Sequence, residues 1–128
     1  MEPWYANTEI ERQIPDFDMS FFKSLYGFRY YVDFDSNYNE IAFLEVDFLL
    51  EKGSCKLELL LKFSNIASLY LYRITGNEND LEGGFTIENL KESGYEKNFK
   101  YLIDNYETDI IKFYCEEIEV LNLKNQEF

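Results

Sequence analysis

Hydrophobic and polar side chains alternate along residues 28–63, which read FRYYVDFDSNYNEIAFLEVDFLLEKGSCKLELLLKF. A period of two is typical of β-strands, because successive side chains point to opposite faces of a sheet. The polar run 36–40 predicts a loop, and Lys52-Gly53 predicts a two-residue hairpin turn in which glycine supplies a positive φ. We therefore predict an antiparallel meander with strands at residues 28–35, 41–51 and 55–63.

The same alternation predicts the register of the meander, because a slip of one residue would move every apolar side chain to the opposite face. We expect Phe28 to pair with Phe48, and Phe48 with Leu57. The predicted core face consists of Phe28, Tyr30, Val32, Phe34, Ala42, Leu44, Val46, Phe48, Leu50, Cys55, Leu57, Leu59, Leu61 and Phe63.

The remaining sequence adds one helix and more strands. Asp18 is a suitable N-cap and Gly27 a stop signal, so we predict a short amphipathic helix over residues 18–26. We expect residues 67–74 to continue the meander and residues 76–84 to form an exposed acidic loop. Further strands are predicted at residues 85–90, 99–105, 110–115 and 118–123. The predicted fold is a single domain over residues 1–128, in the α+β class, mainly antiparallel β, with a meander sheet and a short N-terminal helix.

Charge limits the classes of partner. The chain carries 25 acidic and 12 basic residues, for a formal net charge of −13. Such a field repels phosphate backbones and anionic lipids and attracts basic proteins, so we expect no direct nucleic-acid binding and no membrane association. No signal peptide or long apolar run is apparent, and Cys55 and Cys115 lie in apolar strand patterns. We expect both thiols to be reduced and the protein to be cytoplasmic.

Catalytic chemistry has little support in the sequence. The chain has no histidine, which removes the commonest general base and zinc ligand. The run from Asp33 to Asn39 begins like an EF-hand loop, but Tyr38 replaces the required glycine and Leu44 stands where the bidentate glutamate belongs. Glu45, Asp47 and Glu58 fall close together in the predicted register, yet a surface charge network explains them without glycoside hydrolysis. We expect no enzymatic activity, no metal and no cofactor.

The second face of the predicted sheet mixes tyrosines with carboxylates. Tyrosine offers a large rigid contact area with a polar tip and is enriched where proteins bind proteins. The same face could instead be a second core layer, covered by the helix or the later strands. The predicted partner-binding residues are Tyr31, Asp33, Glu45, Asp47, Glu58, Tyr70 and Tyr72 on this face, and Glu78, Asp80 and Glu82 in the acidic loop.

Residues 57–120 contain a succession of short segments: LLLKFSNI at 59–66, GFTI at 84–87, YLID at 101–104 and IKFYCEEI at 111–118. In spacing and residue class this succession resembles small bacterial immunity proteins of polymorphic and contact-dependent toxin systems. The resemblance implies a small, acidic, cytoplasmic antitoxin without enzymatic activity, which binds and blocks a cognate toxin domain, frequently a basic nuclease. It carries over no catalytic residue, and residues 1–35 do not follow the family pattern.

The functional hypothesis is therefore an immunity protein that neutralises a basic toxin domain by occluding its active site, as a monomer or a homodimer. Two alternatives remain open at this point. One is a β domain whose tyrosine face lines a small-ligand pocket. The other is a structural subunit whose aromatic face pairs with itself in a homodimer.

Overall fold

The computed structural model describes residues 3–72, 74, 79–81, 84–93, 96–105 and 110–125. Within these residues the chain forms a mainly antiparallel β structure with one short α-helix. The helix is α1 (Glu9–Gln13), and 3₁₀ turns cover Met19–Phe21, Lys91–Ser93 and Lys97–Phe99. The strands are β1 (Phe22–Phe34), β2 (Glu40–Lys52), β3 (Cys55–Ser64), β4 (Ala67–Leu71), β5 (Asn79–Asp80), β6 (Phe85–Asn89), β7 (Tyr101–Asn105), β8 (Ile111–Cys115) and β9 (Glu117–Asn125).

Two sheets enclose the core. One sheet has the strand order β5-β1-β2-β3-β9 and the other has the order β4-β8-β7-β6. Large apolar side chains are buried between them, and aromatic contacts cross between the layers: the rings of Phe63 and Phe113 lie 4.9 Å apart and those of Phe48 and Phe85 lie 5.4 Å apart. The predicted meander is confirmed for β1, β2 and β3.

The register of the meander differs from the prediction by two residues. Phe28 pairs with Val46, not with Phe48, and Phe48 pairs with Leu59, not with Leu57. The central turn residues are Gly53 and Ser54, so the glycine, at φ 60°, occupies the first central position, as in a type II′ turn. Because side chains alternate with a period of two, a shift of two residues leaves every side chain on its predicted face of the sheet.

The turn at Gly53 accounts for the shift between β2 and β3, and the loop between β1 and β2 accounts for the shift between those two strands. The Asp35 amide donates to the Asn39 carbonyl at 2.9 Å, and the Asp35 carboxylate accepts from the amides of Asn37 and Asn39, each at 2.9 Å. Tyr38 takes a positive φ of 62°. These bonds shorten the loop, so strand pairing already begins at Phe34 and Glu40.

The helix predicted over residues 18–26 is wrong beyond its first turn. Asp18 does cap a helix, accepting from the Ser20 amide at 2.8 Å, but only the 3₁₀ turn Met19–Phe21 follows. From Phe22 onward the chain is β1, because Phe22 and Leu25 are buried in the sheet opposite Leu50 and Phe48. The α-helix lies earlier, at Glu9–Gln13, with Thr8 as its N-cap.

Residues 67–74 do not continue the meander. β9 occupies the edge of β3 where β4 was expected, and β4 pairs with β8 in the second sheet. The change of sheet occurs at a corner where Asn65 takes a φ of 59° and its side chain donates to the Glu116 carboxylate at 3.1 Å. The Glu116 amide also donates to the Ser64 carbonyl at 2.9 Å, so the β3–β4 and β8–β9 connections turn side by side from one sheet to the other.

The exposed loop predicted at residues 76–84 is wrong at residues 79–81, although Asp80 itself is exposed, while Glu78 and Glu82 lie outside the part of the chain that the structure describes. Asn79 and Asp80 form β5 against Leu25 and Ser24 of β1. Asn79 and Leu81 are buried, and Asn105 donates to the Leu81 carbonyl at 3.2 Å. This segment therefore contributes to the core.

One end of the core is closed by the N-terminal arm. Ile10, Ile14 and Phe17 are buried in the main apolar cluster, and Phe17 packs against Tyr5 and Phe22 at ring distances of 4.8 and 5.9 Å. This end holds the β2–β3 turn, as the Lys52–Asp16 ion pair at 2.7 Å shows. The opposite end, around Phe34, lacks such a cover among the described residues, and Phe34 is 60% exposed.

The cysteines lie in different environments. Cys55 begins β3 and is exposed, whereas Cys115 is fully buried in β8, where burial raises the pKa of its thiol. Because the thiolate is the reactive species, we expect the folded protein to react with one equivalent of a thiol reagent and the denatured protein with two. Thiol titration after an alkylating quench checks this, and a native Cys55–Cys115 disulfide would contradict it.

Candidate functional site

Two neighbouring strands bring three carboxylates together on the outer face of the five-stranded sheet. Glu45 and Asp47 are two residues apart on β2, so both point away from the buried side chains of Leu44 and Val46. Glu58 of β3 is a diagonal neighbour of Asp47, because Asp47 pairs with Leu60, two residues along β3. We call the outer surface around Glu45, Asp47 and Glu58 the acidic face.

Glu45 is held in place by Tyr31. The Tyr31 hydroxyl donates to Glu45 Oε2 at 2.7 Å, and the Tyr31 ring stacks on Phe43 at 5.3 Å with an interplanar angle of 18°. Burial, followed by the hydrogen bond and charge of Glu45, raises the pKa of Tyr31 to about 12, so the phenol stays a donor at neutral pH. The Arg29 guanidinium lies over the Tyr31 ring at 4.5 Å and is 3.9 Å from Glu45.

Glu58 also has direct partners. The Tyr26 hydroxyl donates to Glu58 Oε1 at 3.1 Å, and Lys124 Nζ of β9 lies 3.3 Å from Oε2. Burial and the hydrogen bond to Glu58 raise the pKa of Tyr26 well above its usual range. One lysine therefore offsets one carboxylate at this end of the acidic face.

Asp47 lies between these two partnered carboxylates without a hydrogen bond or ion pair to any residue that the structure describes. Burial raises its pKa, the charges of Glu58 and Glu45 raise it further, and Lys124 opposes them weakly. The carboxylate faces an open concavity of about 200 Å³. Tyr26, Asp47, Glu58, Leu60, Asn122 and Lys124 line this concavity. A cation entering it would meet a carboxylate that is partly desolvated and repelled by the neighbouring charges of Glu45 and Glu58.

The raised pKa of Asp47 predicts a change in stability. When the folded-state pKa is above the unfolded one, the group contributes stability at pH values below its unfolded pKa, near 3.8, and this contribution is lost as the pH rises through the folded pKa. The ionised carboxylate therefore costs stability at neutral pH. We expect Asp47→Asn to be more stable than the wild type at pH 7, by less than about 1 kcal/mol, as is usual for partly exposed charges.

Urea unfolding of both proteins across a pH series measures this effect. The gain from Asp47→Asn should shrink as the pH falls toward the ordinary range of an aspartate. Glu88→Gln, at an exposed position of β6, is the control for removing a carboxylate. A variant less stable than the wild type at pH 7 would show that Asp47 is held by a favourable contact.

The structure does not bring all the predicted site residues together. Tyr70 and Tyr72 belong to the second sheet, where their rings stack at 6.3 Å, so their predicted place on the same sheet face as Glu45 is wrong. Asp33 lies on the outer face, but toward the open end of β1, and its carboxylate accepts from the Phe34 amide at 2.8 Å. Asp80 lies in β5.

Three residues of the acidic face were not predicted. Lys124 and Asn122 arrive through β9, whose pairing with β3 is a long-range contact without a local signal. Tyr26 was assigned to a helix, although it lies at an irregularity in the β1–β2 pairing, between Leu25 and Gly27. Such bulges redirect a side chain, and here the tyrosine reaches Glu58.

A second and larger concavity, of about 330 Å³, lies beside the β1–β2 loop and the corner between the sheets. Its walls mix polar, charged and aromatic residues, including Asp35, Lys62 and Phe43. The Asp35 carboxylate is engaged by the amides of its own loop, and Lys62 Nζ lies over the Phe43 ring at 4.7 Å. Asp35 and Lys62, the charged groups named here, thus already have partners within the protein.

Comparisons of the chain with protein-family models, curated proteins and solved structures found no match. In the described part of the chain, no helix has the length and apolarity needed to span a bilayer. The same residues hold no cluster of three or more histidine, cysteine or acidic side chains arranged for a metal ion.

Proposed function

We propose that this protein is an immunity protein, which neutralises a basic bacterial toxin domain by docking its acidic face on the toxin's positively charged substrate cleft. The observation that carries the proposal is the arrangement of Glu45, Asp47 and Glu58, in which tyrosines orient the outer two carboxylates and Asp47 lacks a partner among the described residues. A lysine or arginine of the partner would supply the missing charge.

Preorganisation supports this function over that of a merely solvated surface. Glu45 and Glu58 side chains are only 19% and 26% exposed, and each accepts a hydrogen bond from a tyrosine. A carboxylate that is already oriented loses less conformational entropy when it meets a partner's cation. The aromatic rings beside it provide rigid contact area around the charge.

The net charge of −13 supports the same mechanism at longer range. It draws a basic protein toward the acidic face and repels nucleic acid, which is the substrate that a nuclease toxin would otherwise bind. Inhibition then requires only that the protein occupy the cleft, so no catalytic group is needed. The resemblance of residues 57–120 to immunity proteins agrees with this mechanism, and a cytoplasmic location is part of the proposal.

Affinity purification from cells that encode toxins of this kind tests the proposal. We expect mass spectrometry to recover a basic toxin domain, and we expect association to slow steeply with added salt, because long-range attraction is screened. The purified protein should be inactive in a hydrolase panel. Recovery of no basic partner, together with turnover of a substrate, would contradict the proposal.

A further inference from the structure

The open end of the core leaves a second surface, formed by the outer half of β1. Phe28, Tyr30, Val32 and Phe34 share the inner face of the sheet with the buried Leu44 and Val46, yet they are 41%, 51%, 53% and 60% exposed. The sequence predicted them as core. Among the described strands, β5 pairs with β1 only at Ser24 and Leu25, so residues 26–34 form an edge of the described part of the sheet.

Two hydrogen bonds show which backbone amides and carbonyls of β1 point toward β2 and which point outward from this edge. The Asp35 amide donates to the Asn39 carbonyl, and the Ala42 carbonyl accepts from the Ile66 amide at 3.1 Å, on the side away from β1. Bonded and non-bonded pairs alternate along an antiparallel ladder, so Val32 and Ala42 form a non-bonded pair. The amides and carbonyls of Tyr30 and Val32 therefore point outward from the edge, where an additional strand could bond to them.

We propose that two copies of this chain pair through β1, antiparallel, about a two-fold axis at Tyr31. This register sets Tyr30 opposite the other copy's Val32 as a hydrogen-bonded pair, with Phe28 opposite Phe34 on the same apolar face. On the outer face it sets Arg29 opposite the other copy's Asp33. Both copies contribute each contact, as a two-fold interface requires.

Charge complementarity indicates that the strand pairing with this edge belongs to a second copy of the chain. Arg29 and Asp33 lie at equal distances in sequence from Tyr31, with opposite charges, so the outer row of β1 is its own antiparallel complement. Both residues are exposed, and the five donors of the Arg29 guanidinium can serve both Glu45 of its own chain and Asp33 of the other. The strand also carries the exposed apolar row that an uncovered edge normally avoids.

Sedimentation equilibrium over a concentration series tests this dimer. We expect the wild type to dimerise reversibly, and more tightly with added salt, because two chains of charge −13 repel each other. Arg29→Asp and Asp33→Arg should each weaken the dimer by about tenfold or more, since each creates two like-charge contacts. The double variant should restore it. Tyr38→Ser, which removes an 86% exposed ring outside β1, is the control and should change nothing.

Two further variants test the backbone pairing and the register. Val32→Pro removes an outward amide, and a proline is tolerated on an edge strand, so it should fold and remain monomeric. Tyr31→Cys in a Cys55→Ser background should form a disulfide-linked dimer under mild oxidation, because non-bonded pairs bring their Cα atoms within disulfide range. Glu88→Cys in the same background should not.

A wild type that stays monomeric at every concentration would overturn the proposal, as would a double charge variant that fails to restore pairing. If the wild type is monomeric and Val32→Pro instead abolishes toxin capture, the edge belongs to the toxin interface. If the dimer forms but no toxin is captured, the dimer stands and the proposed function fails.

Discussion

Reversing both charges of Glu45 and Asp47 to lysine is expected to weaken toxin binding by about 2 to 5 kcal/mol or more, the usual cost of breaking a desolvated interfacial charge pair. Two effects combine. The variant places cations opposite the toxin's cations, and it removes the acceptor that Tyr31 orients at 2.7 Å. The loss should appear mainly as faster dissociation, measured by surface plasmon resonance on variants whose folding is checked by circular dichroism.

The matched control is the double variant Glu88→Lys and Glu92→Lys. Both residues are exposed and lie away from the acidic face, on β6 and the 3₁₀ turn after it. This variant changes the net charge by the same amount, so it should slow association without changing dissociation. Equal dissociation rates for the wild type and the Glu45/Asp47 variant would show that the acidic face is not the centre of the interface.

Phe48→Ala is expected to lower the free energy of unfolding by about 3 to 5 kcal/mol, which is typical of removing a buried aromatic ring. Phe48 is fully buried on β2, where its ring contacts Phe22 at 5.0 Å and Phe85 at 5.4 Å. It therefore joins the two sheets directly beneath Asp47. Urea unfolding monitored by circular dichroism measures the change.

Tyr38→Ala, at the 86% exposed tip of the β1–β2 loop, is the control and should change stability by no more than about 0.5 kcal/mol. If Phe48→Ala cost as little as this control, the two sheets would not share the packed core that the contact between Phe48 and Phe85 indicates.

The faces of the meander could be predicted from the sequence because alternation specifies which side each residue takes. Gly53 marked the hairpin, but the sequence did not show which of the two central turn positions the glycine occupies. Each choice keeps the glycine at a positive φ and preserves the faces, since the alternatives differ by two residues in register. The register error therefore left no trace in the hydrophobic pattern.

The arrangement of the two sheets could not be predicted in the same way. The pairing of β3 with β9 joins residues more than fifty positions apart, and the corner depends on a positive φ at Asn65. Local alternation continues through Tyr70 and Leu71 as if the meander went on. The exposure of Phe28 and Phe34 was missed for a related reason, since alternation assigns a face but does not show how far the opposite sheet extends.

The acidic face was predicted in part. Glu45 and Asp47 share a strand face whatever the register, and Glu58 stays near them after a shift of two residues. Tyr31 was predicted on the correct face but directly opposite Glu45; it pairs with Phe43, and its hydroxyl reaches Glu45 diagonally. Tyr70 and Tyr72 were placed by a pairing that does not form. Lys124, the cation that offsets Glu58, required the position of β9.

Titration of the captured toxin's activity with the purified protein tests the proposed function most directly. Occlusion of the substrate cleft predicts that residual activity falls linearly and reaches zero at one chain per toxin, and that the Glu45/Asp47 double lysine variant does not inhibit at this ratio. Full toxin activity in the presence of excess wild-type protein, or equal inhibition by the variant, would contradict it.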